Sequence, residues 1–204
     1  MSRGRWALVP ALCVALAAGC TSSDPAPVPS TTKATTPSPT PTPTPTAANE
    51  VQDLSNAELG IEFEDVPSLT GAEAEVYNLL STYQTEYWRT MTTNSVSPTF
   101  SVISSGDVQA TMKGIVKTNK DGNITLGGVF STTISDLAVD GDKATAAICD
   151  DYARMTVKDP NGTYTPEQVG YGVPRHKDVT VTRGTSGTTG TSWTVQTVKV
   201  EGSC

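Results

Sequence analysis

The apolar positions of this chain follow one period in its middle third and another in its last. From residue 69 onward Val76, Leu79, Leu80, Tyr83, Tyr87 and Met91 recur near the helical spacing, while Gln84, Thr85 and Arg89 fall on the other side. That pattern predicts a helix with one buried face. Its start is marked by Leu69-Thr70-Gly71-Ala72-Glu73, where Thr70 can accept from the N3 amide and Glu73 can reach back in a capping box. Its end is expected at 92–94, because Asn94-Ser95-Val96-Ser97-Pro98 joins turn formers to a proline that pushes its predecessor out of the helical region. A second, shorter helix is expected at 105–117 from Val108, Met112, Ile115 and Val116, with Ser104 and Asp107 as start signals and Asp121-Gly122 as the stop.

After Asn123 the pattern becomes short runs of Thr, Val, Ile and Tyr punctuated by glycine. These read as strands at 124–133, 134–139, 143–157, 173–183 and 192–201. Asp140-Gly141 between two runs is a tight hairpin turn, since both residues tolerate positive φ. Within the last strand the apolar positions shift parity from Trp193 and Val195 to Val198 and Val200, which a bulge or burial of both faces explains. The glycines at 184, 187 and 190 invite a phosphate-loop reading, but no Lys-Ser or Lys-Thr pair and no helix start follow. A flexible hairpin loop is the simpler account.

The N-terminus follows a different logic. Arg3 and Arg5 precede an apolar run from Trp6 to Ala18 that is too short to span a membrane, and Leu16-Ala17-Ala18-Gly19 leads into Cys20. This resembles a bacterial lipoprotein precursor. The resemblance implies that residues 1–19 are a signal peptide, that Cys20 is lipidated, and that the protein is held by acyl chains on the outer face of the cytoplasmic membrane. Residues 20–48 then form a stalk in which proline alternates with a hydroxyl residue from Pro37 to Thr46. Such a tract cannot pack a core; as polyproline II, at about 3.1 Å per residue, it reaches on the order of 85 Å into the cell wall.

Charge narrows the choice of partners. Lys plus Arg number 14 against 21 Asp plus Glu; loss of Arg3 and Arg5 with the signal peptide leaves 12 against 21, a mature charge of −9. This argues against nucleic acid and against a polybasic membrane patch. Several of the carboxylates (Glu50, Asp53, Glu58, Glu62, Glu64 and Asp65) lie in residues 49–67, which read as a weakly structured acidic lead-in. They lack the glycine and ligand spacing of a calcium loop, so a solvated face is the expectation.

Two helices followed by an antiparallel meander over 68–204 predict an α+β domain. Together with Cys20, the Thr/Pro stalk, the Thr70 helix start, the hairpin Val139-Asp140-Gly141-Asp142-Lys143-Ala144, the run Ile148-Cys149-Asp150-Asp151, and Trp193 leading to Cys204, the chain resembles NTF2-like (cystatin-like cone) lipoproteins of actinobacteria. That resemblance implies a curved antiparallel sheet packed on a long N-terminal helix plus a shorter second helix.

Lipidation of Cys20 leaves Cys149 and Cys204 as the only mature thiols. Outside the cytoplasm they are expected to form a disulfide. A metal pair or a redox site is disfavoured, since the chain has one histidine and no Cys-x-x-Cys. No metal or cofactor is therefore expected.

Residues for catalysis are few. His176 lies between Arg175 and Lys177 after Pro174 and reads as the exposed start of a strand. Of Asp150 and Asp151, strand alternation lets only one face inward. The resemblance implies that an enzyme of this fold, isomerase-like or cyclase-like, would use a pocket carboxylate and aromatic hydroxyls. By residue type, Tyr83, Tyr87, Asp150 and Tyr152 are the candidates for such a pocket, and none is assigned as catalytic.

The leading expectation is a non-catalytic binding or scaffold module for an envelope protein or the cell wall. The alternatives are a small-molecule carrier and, behind it, an enzyme. A cavity with a polar floor favours the alternatives; side chains filling the cone favour the first. Substituting Cys20→Ala is expected to move the protein from the membrane fraction to the medium, as fractionation and immunoblotting would reveal; retention in the membrane would refute the anchor.

Overall fold

The computed structural model describes residues 50–185 and 191–204. The expected leader 1–19, the stalk 20–48 with Cys20, and most of the glycine loop at 184–190 lie outside the described residues. The rest is α+β. In chain order the elements are β1 (Ile61–Glu64), α1 (Gly71–Thr93), α2 (Pro98–Ile103), α3 (Gly106–Asp121), β2 (Thr125–Gly128), β3 (Phe130–Asp140), β4 (Lys143–Asp151), β5 (Met155–Asp159), β6 (Gly162–Tyr164), a single 3-10 turn (Glu167–Val169), β7 (Arg175–Thr185) and β8 (Thr191–Ser203). Among the described residues no helix is long and apolar enough to cross a membrane.

Helix α1 begins and ends where its sequence signals lie, but not by the expected cap. The Thr70 side chain accepts no capping bond; the left-handed Gly71 (φ 64°) follows it, and Thr70 instead bridges to Glu50. At the other end Asn94 closes the helix in the left-handed conformation (φ 51°) and donates from Nδ2 to the Ile124 carbonyl at 2.7 Å. With 23 residues, α1 is not the long helix expected, and α2 and α3 share with it the cover of the sheet. Val76, Leu80, Tyr83, Tyr87 and Met91 are buried as the periodicity predicts. Gln84, expected on the outer side, is fully buried as well.

The second correction is α2. Pro98 does not only stop α1; it occupies the first turn of a new short helix, where its missing N–H costs nothing. The Ser97 hydroxyl accepts from the Thr99 amide at 3.1 Å, and Phe100 is buried with its ring 5.3 Å from that of Tyr83. Helix α3 follows from its cap Ser105 and runs past the expected stop at 117 to Asp121.

The sheet is mixed rather than antiparallel throughout. Its five strands lie in the order β1-β3-β4-β7-β8, with β1 parallel to β3 and the other neighbours antiparallel. Strand β1 arises inside the segment expected to be weakly structured, because Ile61 and Phe63 alternate with Glu62 and Glu64 and bury one face against β3. A second sheet, β2-β5-β6, takes up stretches expected to continue other strands and, at β6, part of 158–170, which reads in sequence as a long connection.

Two local features make that division. Gly128 (φ 82°) ends β2 where a Cβ would stand 2.4 Å from the Arg154 carbonyl oxygen, so only glycine permits the approach. After β4 the Asp151 carboxylate accepts from the Ala153 amide at 2.8 Å, and the Met155 amide donates to the Tyr152 carbonyl at 2.9 Å. The chain turns there, and the strand expected over 143–157 becomes two.

Other expectations are met. Asp140 pairs with Lys143 around Gly141 (φ 58°) as a tight hairpin. The parity shift in β8 is a bulge: Val181 pairs with Val195 and Thr180 with Thr197, so Gln196 is the extra residue. Cys149 and Cys204 form a disulfide with Cα atoms 6.0 Å apart, tying the end of β8 to β4 beside the start of β7. Purified protein should take up no alkylating reagent at these cysteines before reduction, by intact mass. Replacing both with alanine is expected to lower stability by about 4 kcal/mol in a denaturant titration, the chain-entropy value for a loop of this length.

Candidate functional site

Four elements bring polar side chains to one point inside the fold. Strand β4 alternates so that Ile148 and Asp150 face inward, and Asp150 is completely buried. Strand β7 has the same parity at Lys177, Val179 and Val181, which puts a lysine, 6% exposed, into the core beside Asp150. Gln84 arrives from α1, one turn after Leu80 and one before Trp88, and Thr132 arrives from β3 between buried Phe130 and Ile134. Tyr152 follows directly from β4.

The Asp150 carboxylate is the acceptor for all of them. Its Oδ1 takes the Gln84 amide at 2.5 Å and the Thr132 hydroxyl at 3.0 Å. Its Oδ2 takes the Tyr152 hydroxyl at 3.1 Å and the Lys177 ammonium. Gln84 also donates to Thr132 at 2.7 Å. Because Tyr152 gives its only proton to Asp150, the 2.9 Å contact between the Tyr87 and Tyr152 hydroxyls has one polarity: Tyr87 donates. Each of these hydrogen bonds therefore runs toward one carboxylate.

Burial sets the protonation states. It pushes the Tyr87 and Tyr152 phenols upward from their ordinary value, and the negative charge of Asp150 adds to the shift. For Lys177 burial acts downward and is the largest single influence, but the attraction of Asp150, helped by Tyr87, outweighs it and the net direction is up. At neutral pH the tyrosines are neutral and Lys177 is charged. Its ammonium also lies 4.5 Å from the centre of the Tyr87 ring, a cation–π contact that burial of both side chains strengthens.

In front of this cluster lies a cavity of about 440 Å³ between α3 and strands β7 and β8. Tyr83, Tyr87, Tyr152 and Lys177 line its inner part; Val108, Met112 and Ile115 from α3 and Val198 and Val200 from β8 form apolar walls. Tyr171 and Arg175 also line it, with the Tyr171 ring edge-on to Tyr152 at 5.0 Å.

Of the four residues expected at a pocket, the structure brings all together but gives them unequal access. Tyr83, Tyr87 and Tyr152 line the cavity, whereas Asp150 lies behind them and does not. With four donors on two oxygens its acceptor positions are filled. It is a structural counter-ion rather than an available base. Lys177, Gln84 and Thr132 were not anticipated. His176 points to the other face of β7, partly exposed, with Nε2 3.1 Å from Asp178 Oδ1. Among the described residues no group of three or more His, Cys, Asp or Glu side chains is placed to hold a metal ion. No protein-family model, curated protein or solved structure matches the chain.

Removing one partner strands the other charge in the core. Lys177→Met is expected to cost about 3–5 kcal/mol in chemical denaturation, and adding Asp150→Asn, which removes the stranded charge and keeps an acceptor for Gln84 and Thr132, to recover part of it. The raised pKa values also fix a pH dependence. The native state binds more protons than the unfolded chain once pH exceeds the unfolded values of Tyr and Lys, about 10 and 10.4, so stability is fully present below them and declines above. The melting temperature should therefore fall above about pH 10, and less steeply in a Tyr87→Phe, Tyr152→Phe variant.

Proposed function

We propose that this chain is an envelope lipoprotein, anchored through Cys20 and carried off the membrane by its Thr/Pro stalk, whose exported domain binds a small molecule without transforming it. The observation that carries this reading is the cavity of about 440 Å³ with a polar floor and apolar walls. Its size lies within the range of about 300–1,000 Å³ typical of ligand sites, and its few convergent polar groups are what orient a bound molecule in such sites. A domain serving only as a scaffold has no need of an open space at this position. An NTF2-like cone is the finer description of the fold that we favour, since helices cover one face of the sheet and leave a recess beside β7 and β8.

The absence of turnover in this reading follows from the state of Asp150. Its two oxygens are occupied by four donors and do not reach the cavity, so general-base chemistry would first have to dismantle the core. Binding requires no such step. A docking role for a second protein draws support from a different place. Val102 on α2 is 76% exposed, next to a shallow recess lined by Leu79, Ile103 and Trp193. That surface is compatible with an envelope partner in addition to the ligand.

Native mass spectrometry of the protein purified from its own envelope is expected to show a non-covalent adduct. Met112→Trp, which fills the space from the α3 side, should abolish the adduct while costing no more than about 1–3 kcal/mol of stability. A protein that emerges consistently empty would remove the ligand-binding reading.

A further inference from the structure

We propose that the cavity takes an amphipathic carboxylate, its anionic head held between Lys177 and Arg175 and its apolar body lying between α3 and β8. This rests on the small-molecule reading and names the class of molecule. The donors that remain unspent carry the inference. Asp150 occupies one N–H of Lys177, and an ammonium has three. The hydroxyl protons of Tyr152 and Tyr87 are committed to Asp150 and to Tyr152 respectively, so Lys177 is the charged donor of the cluster with capacity left toward the cavity.

Arg175 is the second cation. It precedes Lys177 by two residues on β7, so both side chains leave the same face of the sheet, with Cα atoms about 6.6–6.8 Å apart. Its guanidinium lies over the Tyr171 ring, 4.1 Å from the centre, and Nη2 donates to the Gly170 carbonyl at 2.8 Å. Among the described residues no carboxylate pairs with it. A guanidinium that gives its face to an aromatic ring keeps in-plane donors for a planar acceptor such as carboxylate. Two of the lining cations, Arg175 and Lys177, share the inward face of β7; the third, Lys199, stands opposite exposed Asp178 on the other face of the sheet, and one carboxylate, Asp107, is exposed in the first turn of α3. What selects an anion is the pairing of a guanidinium that meets no carboxylate with the N–H groups that Lys177 does not give to Asp150. The apolar walls exclude a small, fully hydrated one, because its hydration shell would not be replaced.

Calorimetric titration of decanoate and of 1-decanol into the full chain carrying Cys20→Ser, which keeps detergent out of the cavity, tests this. Decanoate should bind at least about tenfold tighter than the alcohol, the size expected for a charge-assisted contact. Arg175→Gln, outside the buried cluster, should remove most of that preference with a smaller effect on the alcohol, and Arg175→Lys should restore part of it. Equal affinities in the parent chain, or a preference indifferent to Arg175→Gln, would overturn the carboxylate assignment and leave the small-molecule reading standing. If neither compound binds, the assignment is overturned, and the mass spectrum of the envelope-purified protein decides the small-molecule reading separately.

Discussion

The rest of the domain is arranged around the buried contact between Asp150 and Lys177. Two opposite charges taken out of water lose hydration worth several kcal/mol each, and their attraction makes up the loss only if the remaining hydrogen-bonding capacity is also met. Here the carboxylate receives Gln84 from α1, Thr132 from β3 and Tyr152 from the turn after β4, in addition to Lys177 from β7. One ion pair thereby ties the first helix to three parts of the sheet. It also fixes register, because moving β7 by one residue would carry Lys177 to the outer face and leave Asp150 buried without its partner. The apolar residues around it, Leu80, Trp88, Phe130 and Ile148, are all under 2% exposed. They supply the low dielectric in which mispairing is costly.

The β8 wall of the cavity is paired with β7 along its length and tied to other elements at both ends. At one end the Ser105 amide and hydroxyl donate to the carbonyls of Val195 and Gln196, at 2.8 and 2.9 Å, clamping the start of α3 to β8. At the other the disulfide holds Cys204 to Cys149. Between the clamps Val198 and Val200 line the open space, and the bulge at Gln196 sets which side chains of β8 turn inward. The cysteine pair and the bulge, two features without chemical activity, thus define the wall of the proposed binding site.

Much of this was legible in sequence, and what was not has a specific cause. The span of α1, the hairpin at Asp140-Gly141 and the parity shift in β8 each rest on a local rule that tertiary structure did not override, and the pairing of Cys149 with Cys204 rests on the count of cysteines once Cys20 is set aside. Tyr83, Tyr87, Asp150 and Tyr152 were grouped by residue type and alternation, and they do converge. Gln84 was lost because a polar residue was taken to mark an outer face, and Lys177 because it was read only as a neighbour of His176. The positional signal was present: Gln84 sits one turn from both Leu80 and Trp88, and Lys177 shares parity with Val179 and Val181. A polar side chain in an apolar stripe becomes a prediction of burial only when a partner is identified, and the partners lie in other elements, 66 residues away for Gln84 and Asp150. The short strand β1 was missed for another reason: its two apolar residues gain burial only beside β3, which comes much later in the chain.

The buried pair also separates the two roles that charge plays at the cavity. Lys177 and Asp150 neutralise each other, so the inner end presents oriented donors with little net charge. Arg175, stacked on Tyr171 near the opening, retains a charge not balanced by any carboxylate among the described residues. Long-range attraction therefore belongs to the mouth, where solvent screens it and where a ligand is first met. Orientation belongs to the floor, where the donors are buried and each has a fixed direction. If the ion pair served stability alone, two well-packed apolar side chains would do as well or better. What such a replacement cannot supply is an ammonium held in place by one carboxylate while its other protons remain available to a second.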